Sequence, residues 1–447
     1  MNKYSLSLGL MLFGVAFAQG QDPATISWML VSSAFVFFMV VGLAFFYGGL
    51  VRRKNALNTM MMSFVSLGIV GITWSVIGYS LAYADGNRFL GGFGYFMLNN
   101  VGLEGEGIPT ILDFVFQGTF AIITVALISG AVVERMRFSA YMMFITIWSV
   151  LIYAPMAHWV WYLGGDGGWF KNLLGGEALD FAGGTVVHIN AAVAALVLAF
   201  MIGKRQDFGK KAMLPHQVPF TLLGAGILWF GWFGFNGGSA YAADAKAALA
   251  MANSLLAPAA TIVVWATLDY FRAGKVTAVG LATAIVVGLV AITPAAGFVT
   301  PMSAIIIGII ATFPCYFFIN WRAHSSLDDS LDVFGAHGLG GITGALLTGI
   351  FATNFGDPEA ATGGLNQFLI QFVAVVIAAA FSGVGTFLIA SLVKLVLPLR
   401  SDDKIEAQGL DVAMHGEEGY SDGEGALLIP VSSSKKAALV AGQVVSS

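Results

Sequence analysis

Long apolar stretches alternate with short polar turns along most of the chain. A helix needs about 20 predominantly apolar residues to cross a bilayer, and most stretches reach that length. The ten-residue alternating segments typical of membrane β-barrels do not occur in the sequence. We therefore predict an all-α, polytopic membrane protein with eleven transmembrane helices, at 26–51, 57–84, 111–133, 138–163, 181–202, 217–240, 248–270, 277–298, 302–320, 333–353 and 366–397.

The composition agrees with this class of protein. Apolar residues make up 57% of the chain and charged residues 10%, whereas soluble domains carry about 25% charged residues. The 56 glycines fit helices that approach one another closely in a bilayer. The net charge of −4 gives no indication of a nucleic-acid partner. The single cysteine, Cys315, excludes an intrachain disulfide and a cysteine-rich metal site.

Basic residues mark one side of the predicted helix bundle. Arg88 and Lys171 lie in loops of the opposite side, and Lys394 and Arg400 flank the end of the last helix. Because cytoplasmic loops carry the excess of positive charge, we expect the N-terminus outside and the C-terminus in the cytoplasm, as an odd number of helices requires. The turns after the odd-numbered helices contain Arg52, Arg53, Lys54, Arg135, Arg137, Lys204, Arg205, Lys210, Lys211, Arg272, Lys275 and Arg322.

The two ends of the chain differ from the apolar part between them. Residues 1–18 combine Lys3, a short apolar run and an Ala-Phe-Ala sequence at 16–18, which is typical of a secretory signal peptide; an uncleaved first helix is the alternative. The transmembrane domain then covers 26–397. Residues 398–447 are polar and rich in serine, glycine and acidic residues, which predicts a cytoplasmic tail with a disordered end.

Two of the predicted helices carry a histidine among small residues. His188 and His337 are each followed by alanine or glycine three, four and seven positions later, which is one face of a helix. Each of these helices closes a set of five. The second set would therefore run opposite to the first, as in the inverted repeats of many transporters, whose binding sites lie near the middle of the membrane.

These two histidines are the main candidates for chemistry. Two facing neutral imidazoles could share a proton and line a narrow path for a small polar molecule. The structural alternative is that each histidine only hydrogen-bonds to a neighbouring helix. A metal site held by the two histidines is less well supported, because neither helix supplies an evident third ligand.

An acidic residue and two aromatic segments lie near these helices. Asp180 precedes His188 by eight residues, which is about 12 Å along a helix, and so lies at the outer end of the fifth helix. It could cap that helix and also favour a cation at the mouth. The segments 116–120 and 232–239 place aromatic residues beside glycine and polar residues. Such rings can bind a partly dehydrated cation, although packing is the alternative.

Several of these segments together resemble the ammonium transporter family (Amt, Mep and Rh proteins), and most closely its bacterial Amt branch. The segment DFAGGTVVHIN at 180–190 is similar to the family signature. FFYGGL at 45–50, FQGTF at 116–120, GWFGFNGGS at 231–239, DVFGAHG at 332–338 and GLDV at 409–412 resemble further family segments. The resemblance extends from about residue 26 to about residue 420.

The resemblance implies a fold of eleven helices with an inverted five-plus-five repeat, and a homotrimer with one pore in each subunit. It also implies an outer ammonium-binding site at Phe120, Trp161 and Ser239, with Asp180 as an acid needed for transport. Phe120 and Phe235 match the pair of rings that closes the pore. His188 and His337 match the twin histidines of the pore. A PII-type signalling protein at the cytoplasmic face is an implied partner.

Three functions remain open at this point. The protein could be an electrogenic ammonium transporter that passes ammonia and carries the proton separately, a passive ammonia channel, or an ammonium sensor that signals to a cytoplasmic partner. An enzyme is not expected, because the sequence has no nucleophile–base arrangement and no cofactor motif; no cofactor or metal is predicted. The expected location is the bacterial inner (plasma) membrane.

Overall fold

The computed structural model describes residues 21–356 and 360–420. The predicted signal peptide at 1–18 and the last part of the predicted tail lie outside these residues. Counting a helix as continuous across 3₁₀ and π turns, the described residues contain ten helices that are long and apolar enough to cross a membrane, and one shorter apolar helix. They are α1 Pro23–Leu50, α2 Arg53–Tyr83, α3 Thr110–Ala131, α4 Phe138–Trp161, α5 Gly184–Ile202, α6 Val218–Gly238, α7 Ala245–Ala273, α8 Ala278–Ile292, α9 Pro301–Arg322, α10 Phe334–Phe351 and α11 Leu365–Val396.

Small elements connect and follow these helices. A two-residue hairpin joins β1 (Gly86–Asn87) to β2 (Leu90–Gly91) in antiparallel register between α2 and α3. Short 3₁₀ turns occur at Phe96–Leu98 and Trp169–Asn172. After α11 the chain forms α12 (Asp403–Gln408) and α13 (Leu410–His415). The first part of the predicted tail is therefore helical in the structure.

The helix at Ala278–Ile292 is shorter than the predicted span of 277–298. Pro294 lies just beyond its end, and a proline cannot donate the backbone hydrogen bond that would continue the helix. The chain instead turns through residues 293–298. The prediction of eleven full-length spans is therefore not confirmed; the structure gives ten such helices in the described residues and this shorter one.

Glycines allow α1 and α6 to pack backbone to backbone. A Cβ atom built on Gly224 would lie 2.3 Å from the backbone nitrogen of Phe46 and 2.6 Å from the carbonyl oxygen of Gly42. A Cβ atom on Gly231 would lie 2.9 Å from the carbonyl oxygen of Phe35. Small residues at such crossings let transmembrane helices gain van der Waals contact that lipid cannot supply.

The Gly224→Ala variant is expected to lose roughly 1–3 kcal/mol of stability, because the added methyl group must push the two helix backbones apart. Gly226 in the same helix provides a matched control, since a Cβ atom there has no neighbour within 4 Å. Gly226→Ala should be neutral or slightly stabilising, since alanine favours helices more than glycine does. Melting temperatures of the purified proteins in detergent would measure both effects. Equal melting temperatures for the two variants would contradict the close packing.

Candidate functional site

The two histidine-bearing helices begin in the same unusual way. The first turns of α5 and α10 are π-helical, over Gly184–Ile189 and Phe334–Gly338. His188 and His337 lie within these turns. A π turn widens the helix and often occurs at functional sites. In this chain the two turns bring His188 and His337 against each other in the middle of the bundle.

Each of these π turns is held by the carboxylate of an aspartate that lies at the same sequence spacing before the histidine. Asp180 is 7% exposed, and its carboxylate accepts hydrogen bonds from the backbone amides of Gly183, Gly184, Thr185 and Val186 at 2.6–3.0 Å. Asp329 accepts hydrogen bonds from the amides of Val333 and Phe334 at 3.1 and 2.8 Å. Each aspartate precedes its histidine by eight residues. Carboxylates at such positions satisfy the free amides of the first helical turn.

The imidazole rings of His188 and His337 are in direct contact. Their Nδ1 atoms lie 3.2 Å apart, and the ring centroids lie 5.3 Å apart. At this distance one Nδ1 donates a hydrogen and the other accepts it, so the pair holds one hydrogen between the two rings. Trp232 stacks against the His188 ring at 5.3 Å, and its indole N–H donates to the hydroxyl of Thr293. The Nε2 atom of His188 is buried and has no hydrogen-bond partner among the described residues.

A narrow cavity adjoins the histidine pair. It provides about 10 Å³ for the centre of a water-sized molecule, which is on the order of the space for one such molecule. The histidines are its only polar lining within the described residues, since the other walls are apolar or aromatic: Met39, Leu43, Phe46, Ile123, Leu127, Leu228, Trp232, Phe235 and Val286. We call this space the pore cavity.

Two phenylalanine rings lie between the pore cavity and a larger opening above it. Phe120 and Phe235 stack with centroids 4.2 Å apart and an interplanar angle of 28°. Phe235 lines the pore cavity, whereas Phe120 lines the larger opening. Both side chains are buried. The stacked pair therefore separates the two spaces.

The larger opening is a cavity of about 610 Å³, which we call the vestibule. Trp161, Asp180 and Ser239 line it together with Phe120. Trp161 meets the Phe120 ring edge to face at 5.9 Å, and its indole N–H donates to the carbonyl oxygen of Asp180. The Ser239 hydroxyl donates to the carbonyl oxygen of Phe235 at 2.8 Å. That bond uses the one hydroxyl hydrogen, so the lone pairs of this oxygen are available to a donor in the vestibule.

The structure thus brings together the residues that the sequence analysis selected. Phe120, Trp161, Ser239 and Asp180 lie around the vestibule, Phe120 and Phe235 form one stacked pair, and His188 and His337 lie below it. Their roles in transport stay predictions. No group of three or more metal-ligating side chains occurs in residues 21–356 and 360–420.

Sequence reasoning missed three residues of this region. Asp329 was not recognised as the counterpart of Asp180, although both precede a histidine by eight residues, and this equal spacing was the available signal. Asp113 and Gln117 also line the vestibule. Asp113 precedes Phe120 by seven residues and Gln117 precedes it by three, so both lie on nearly the same helical face as Phe120. His158, by contrast, lies apart from the histidine pair, and its ring contacts the carbonyl oxygens of Ala82 and Asn87.

Comparison with known proteins agrees with this architecture. The sequence profile described as the Ammonium Transporter Family matches residues 27–420. The ammonium transporter of Aquifex aeolicus (strain VF5) is 47% identical over 409 residues, which cover 90% of this chain and 94% of that protein. The ammonium transporter of Bacillus subtilis (strain 168) is 45% identical over 404 residues, which cover 88% and 98%.

Solved structures show the same fold. The crystal structure of Saccharomyces cerevisiae Mep2 matches with a TM-score of 0.78 at 36% sequence identity, over 85% of this chain and 88% of that chain. A structure described as a sensor Amt protein matches with a TM-score of 0.82 at 29% identity, over 88% and 98%. From the profile match, the identities and the helical architecture together, we conclude that this chain is a multi-pass membrane protein of the ammonium transporter family.

Proposed function

We propose that the protein binds ammonium in the vestibule, removes a proton from it, and conducts ammonia through the pore cavity while the proton crosses separately. The observation that carries this proposal is the contact of His188 and His337, at 3.2 Å between their Nδ1 atoms, in a narrow apolar cavity beneath a closed pair of aromatic rings.

The vestibule offers the groups that a partly dehydrated cation needs. The rings of Phe120 and Trp161 present faces and edges at right angles to each other, and aromatic faces attract cations. The Ser239 oxygen accepts a hydrogen bond from an N–H donor. Ammonium has four such donors, so it can replace its water contacts with these groups.

The pore cavity favours a neutral molecule over an ion. A bare cation is costly to place in a narrow space with apolar walls, and the stacked rings of Phe120 and Phe235 leave no wide aqueous path. Ammonia carries no charge and is of about the size of a water molecule, so it enters at a much lower cost. Potassium cannot lose a proton, and the same walls should therefore exclude it.

The histidine pair provides a path for the proton that ammonium leaves behind. The single hydrogen between the two Nδ1 atoms can pass from one ring to the other when the outer ring receives a proton and the inner ring releases one. Ammonia and the proton then recombine beyond the pore. The net reaction moves one ammonium ion and one positive charge, which makes the transport electrogenic.

Asp180 is assigned a positioning role at the vestibule. Its carboxylate accepts four backbone hydrogen bonds. The two carboxylate oxygens have about four acceptor positions in total, so these bonds occupy nearly all of them. Asp180 therefore orients the π turn that carries His188, and its negative charge favours a cation nearby.

The remaining parts of the proposal concern location and partners. We place the vestibule on the outer side of the bacterial inner (plasma) membrane and the C-terminus in the cytoplasm, because the basic turns follow the odd-numbered helices. We also propose assembly as a homotrimer and regulation by a PII-type protein, which the family resemblance implies. Pull-down of the PII-type protein with and without nucleotide, using the purified full chain, would test that partner.

The function can be tested with the purified protein in sealed liposomes. Ammonium-evoked current and internal pH are measured together, with potassium as the control ion and protein-free liposomes as the background. We expect a current that saturates with ammonium concentration and that potassium does not evoke.

Two other outcomes would replace this proposal. A rise in internal pH on ammonium addition without any current would identify a passive ammonia channel. A folded protein with neither signal would favour an ammonium sensor, a function suggested by the structural similarity to a sensor Amt protein.

A further inference from the structure

The vestibule carries more negative than positive side chains. Two lysines line it, Lys171 and Lys246, and Lys171 is paired with Glu177 at 2.5 Å. The acidic side chains that line the same cavity are Asp85, Glu106, Asp113, Glu177 and Asp180. A cavity with this charge attracts cations. The excess alone does not define a site, so the geometry around the individual carboxylates decides where a cation would stop.

Asp113 is the acidic residue best placed to hold a cation above the aromatic pair. It lies seven residues before Phe120 in α3, hence about 10 Å further out on nearly the same helical face. Its two carboxylate oxygens each accept one hydrogen bond at 2.7 Å, from the hydroxyls of Tyr79 and Tyr241. Both partners are neutral. In the described residues no lysine or arginine forms an ion pair with Asp113, and each oxygen keeps a free lone pair.

Gln117 supplies a second acceptor beside Asp113. Its amide nitrogen donates to the hydroxyl of Tyr241 at 2.6 Å. That hydroxyl already gives its one hydrogen to Asp113, so it accepts from Gln117, and this fixes the orientation of the amide. The Oε1 atom of Gln117 is then left without any hydrogen-bond partner in the described part of the chain, although the residue is only 6% exposed.

A buried amide oxygen without a partner is costly, typically by about 1–3 kcal/mol. Gln117 lines the vestibule while its Oε1 atom is buried just beneath the lining, so a small movement of the lining side chains would let a donor in the cavity reach it. Asp113 and Gln117 both hydrogen-bond to the Tyr241 hydroxyl, and both line the vestibule. A carboxylate and an amide oxygen on neighbouring side chains suit a small cation with several N–H donors.

We propose that Asp113 and Gln117 form an outer ammonium subsite, which the ion occupies before it reaches Phe120, Trp161 and Ser239. This inference rests on the proposed function, since it concerns how the same substrate enters the same pathway. A subsite of this kind raises the occupancy of the inner site at low ammonium concentration. Once ammonium saturates the protein, it no longer affects the rate.

Saturation kinetics of the ammonium-evoked current test this inference. Asp113→Asn removes the charge at nearly constant volume, and we expect the KM for ammonium to rise about tenfold while the maximal current stays within twofold. Asp113→Glu should restore most of the affinity. Glu106→Gln is the charge control, because it removes one negative charge from an exposed position on the same cavity; its KM should stay within twofold of the parent.

A second control separates binding from structural support. Tyr79→Phe removes one hydrogen bond to Asp113 but keeps the carboxylate charge. If Asp113 only holds the tyrosines in place, Tyr79→Phe and Asp113→Asn should show the same defect, and the inference would be overturned. An unchanged KM in a folded Asp113→Asn protein, or an equal rise in Glu106→Gln, would overturn it as well.

The same kinetic measurements distinguish a variant that does not fold, failure of the proposed function and failure of the outer subsite alone. If Asp113→Asn does not elute as a folded protein, Gln117→Met is measured instead, with an expected rise in KM of about threefold, and an unchanged KM would reject the subsite. If the parent protein shows no saturable response to ammonium, the proposed function fails. If the parent responds normally and Asp113→Asn matches it, only the outer subsite fails.

Discussion

Replacement of His188 with alanine is expected to abolish the discrimination between ammonium and potassium while the protein still folds. The imidazole lies between Trp232 and His337, and its removal enlarges the pore cavity that it lines. Water can then enter, and a hydrated ion no longer has to lose its shell. Alanine favours helices, so α5 should be retained.

The measurement is the ratio of ammonium-evoked to potassium-evoked current in liposomes that contain the variant. We expect this ratio to fall by about tenfold or more, which corresponds to a change of at least about 1.4 kcal/mol in the relative barriers for the two ions. His324→Ala is the matched control, because His324 is exposed and contacts the carbonyl oxygen of Asn320 away from the pore. If His188→Ala kept the full selectivity of the parent, the proposed role of the histidine would be wrong.

The transmembrane helices were the part of the fold that the sequence predicted best. Apolar length is a local property, and the predicted span at 138–163 corresponds to a helix at Phe138–Trp161. The predicted span at 277–298 was too long, because a window of apolar residues does not register that Pro294 stops the helix. Hydropathy also gave no sign of the π turns at Gly184–Ile189 and Phe334–Gly338, since a π turn depends on how the two helices pack.

Residue patterns selected most of the candidate site, namely His188, His337, Asp180 and the aromatic segments at 116–120 and 232–239. Trp161 was named only through the resemblance to a known family. Gln117 has no sequence signal of its own, because its unpartnered oxygen is defined by Tyr241, which lies 124 residues away. Contacts between distant segments of this kind cannot be inferred from spacing within one helix.

The basic residues near helix ends illustrate the same limit. The positive-inside rule used Arg135 and Arg205 as markers of the cytoplasmic side, where loop residues are commonly solvent-exposed. In the structure both side chains are buried, Arg135 fully and Arg205 to 6% exposure. Their acidic partners Glu134 and Asp328 come from the turn after α3 and the loop before α10, and only the fold shows that these segments meet.

Replacement of Arg205 with alanine is expected to cause the largest loss of stability. The Arg205 guanidinium bonds to Glu134 at 2.5 Å and to both carboxylate oxygens of Asp328 at 2.8 and 3.0 Å. The side chains of Glu134 and Asp328 have no exposed surface. Without Arg205, Glu134 keeps only Arg52 as an ionic partner in the described residues. Asp328 keeps only Arg135 there, at 4.0 Å. Removal of one partner from a buried ionic group costs roughly 3–5 kcal/mol.

The pKa of Glu134 sets the conditions for this measurement. Burial by itself would raise this pKa, but Arg205 and Arg52 outweigh burial, so the pKa is lowered. A lowered pKa in the folded state means that the carboxylate adds stability above its unfolded pKa of about 4.3 and loses this contribution as pH falls through the folded value. The ionic group is therefore fully formed at neutral pH, where melting temperatures should be compared.

Arg137→Ala is the matched control for Arg205→Ala. Arg137 also pairs with an aspartate, Asp402 at 3.0 Å, but this pair is exposed, with 28% and 71% of the two side chains accessible. Exposed pairs contribute no more than about 1 kcal/mol. The melting temperature of purified Arg205→Ala in detergent should fall well below that of Arg137→Ala, and the difference should shrink at acidic pH as Glu134 becomes protonated. If both variants melted together with the parent at neutral pH, the buried ionic group would not stabilise the fold.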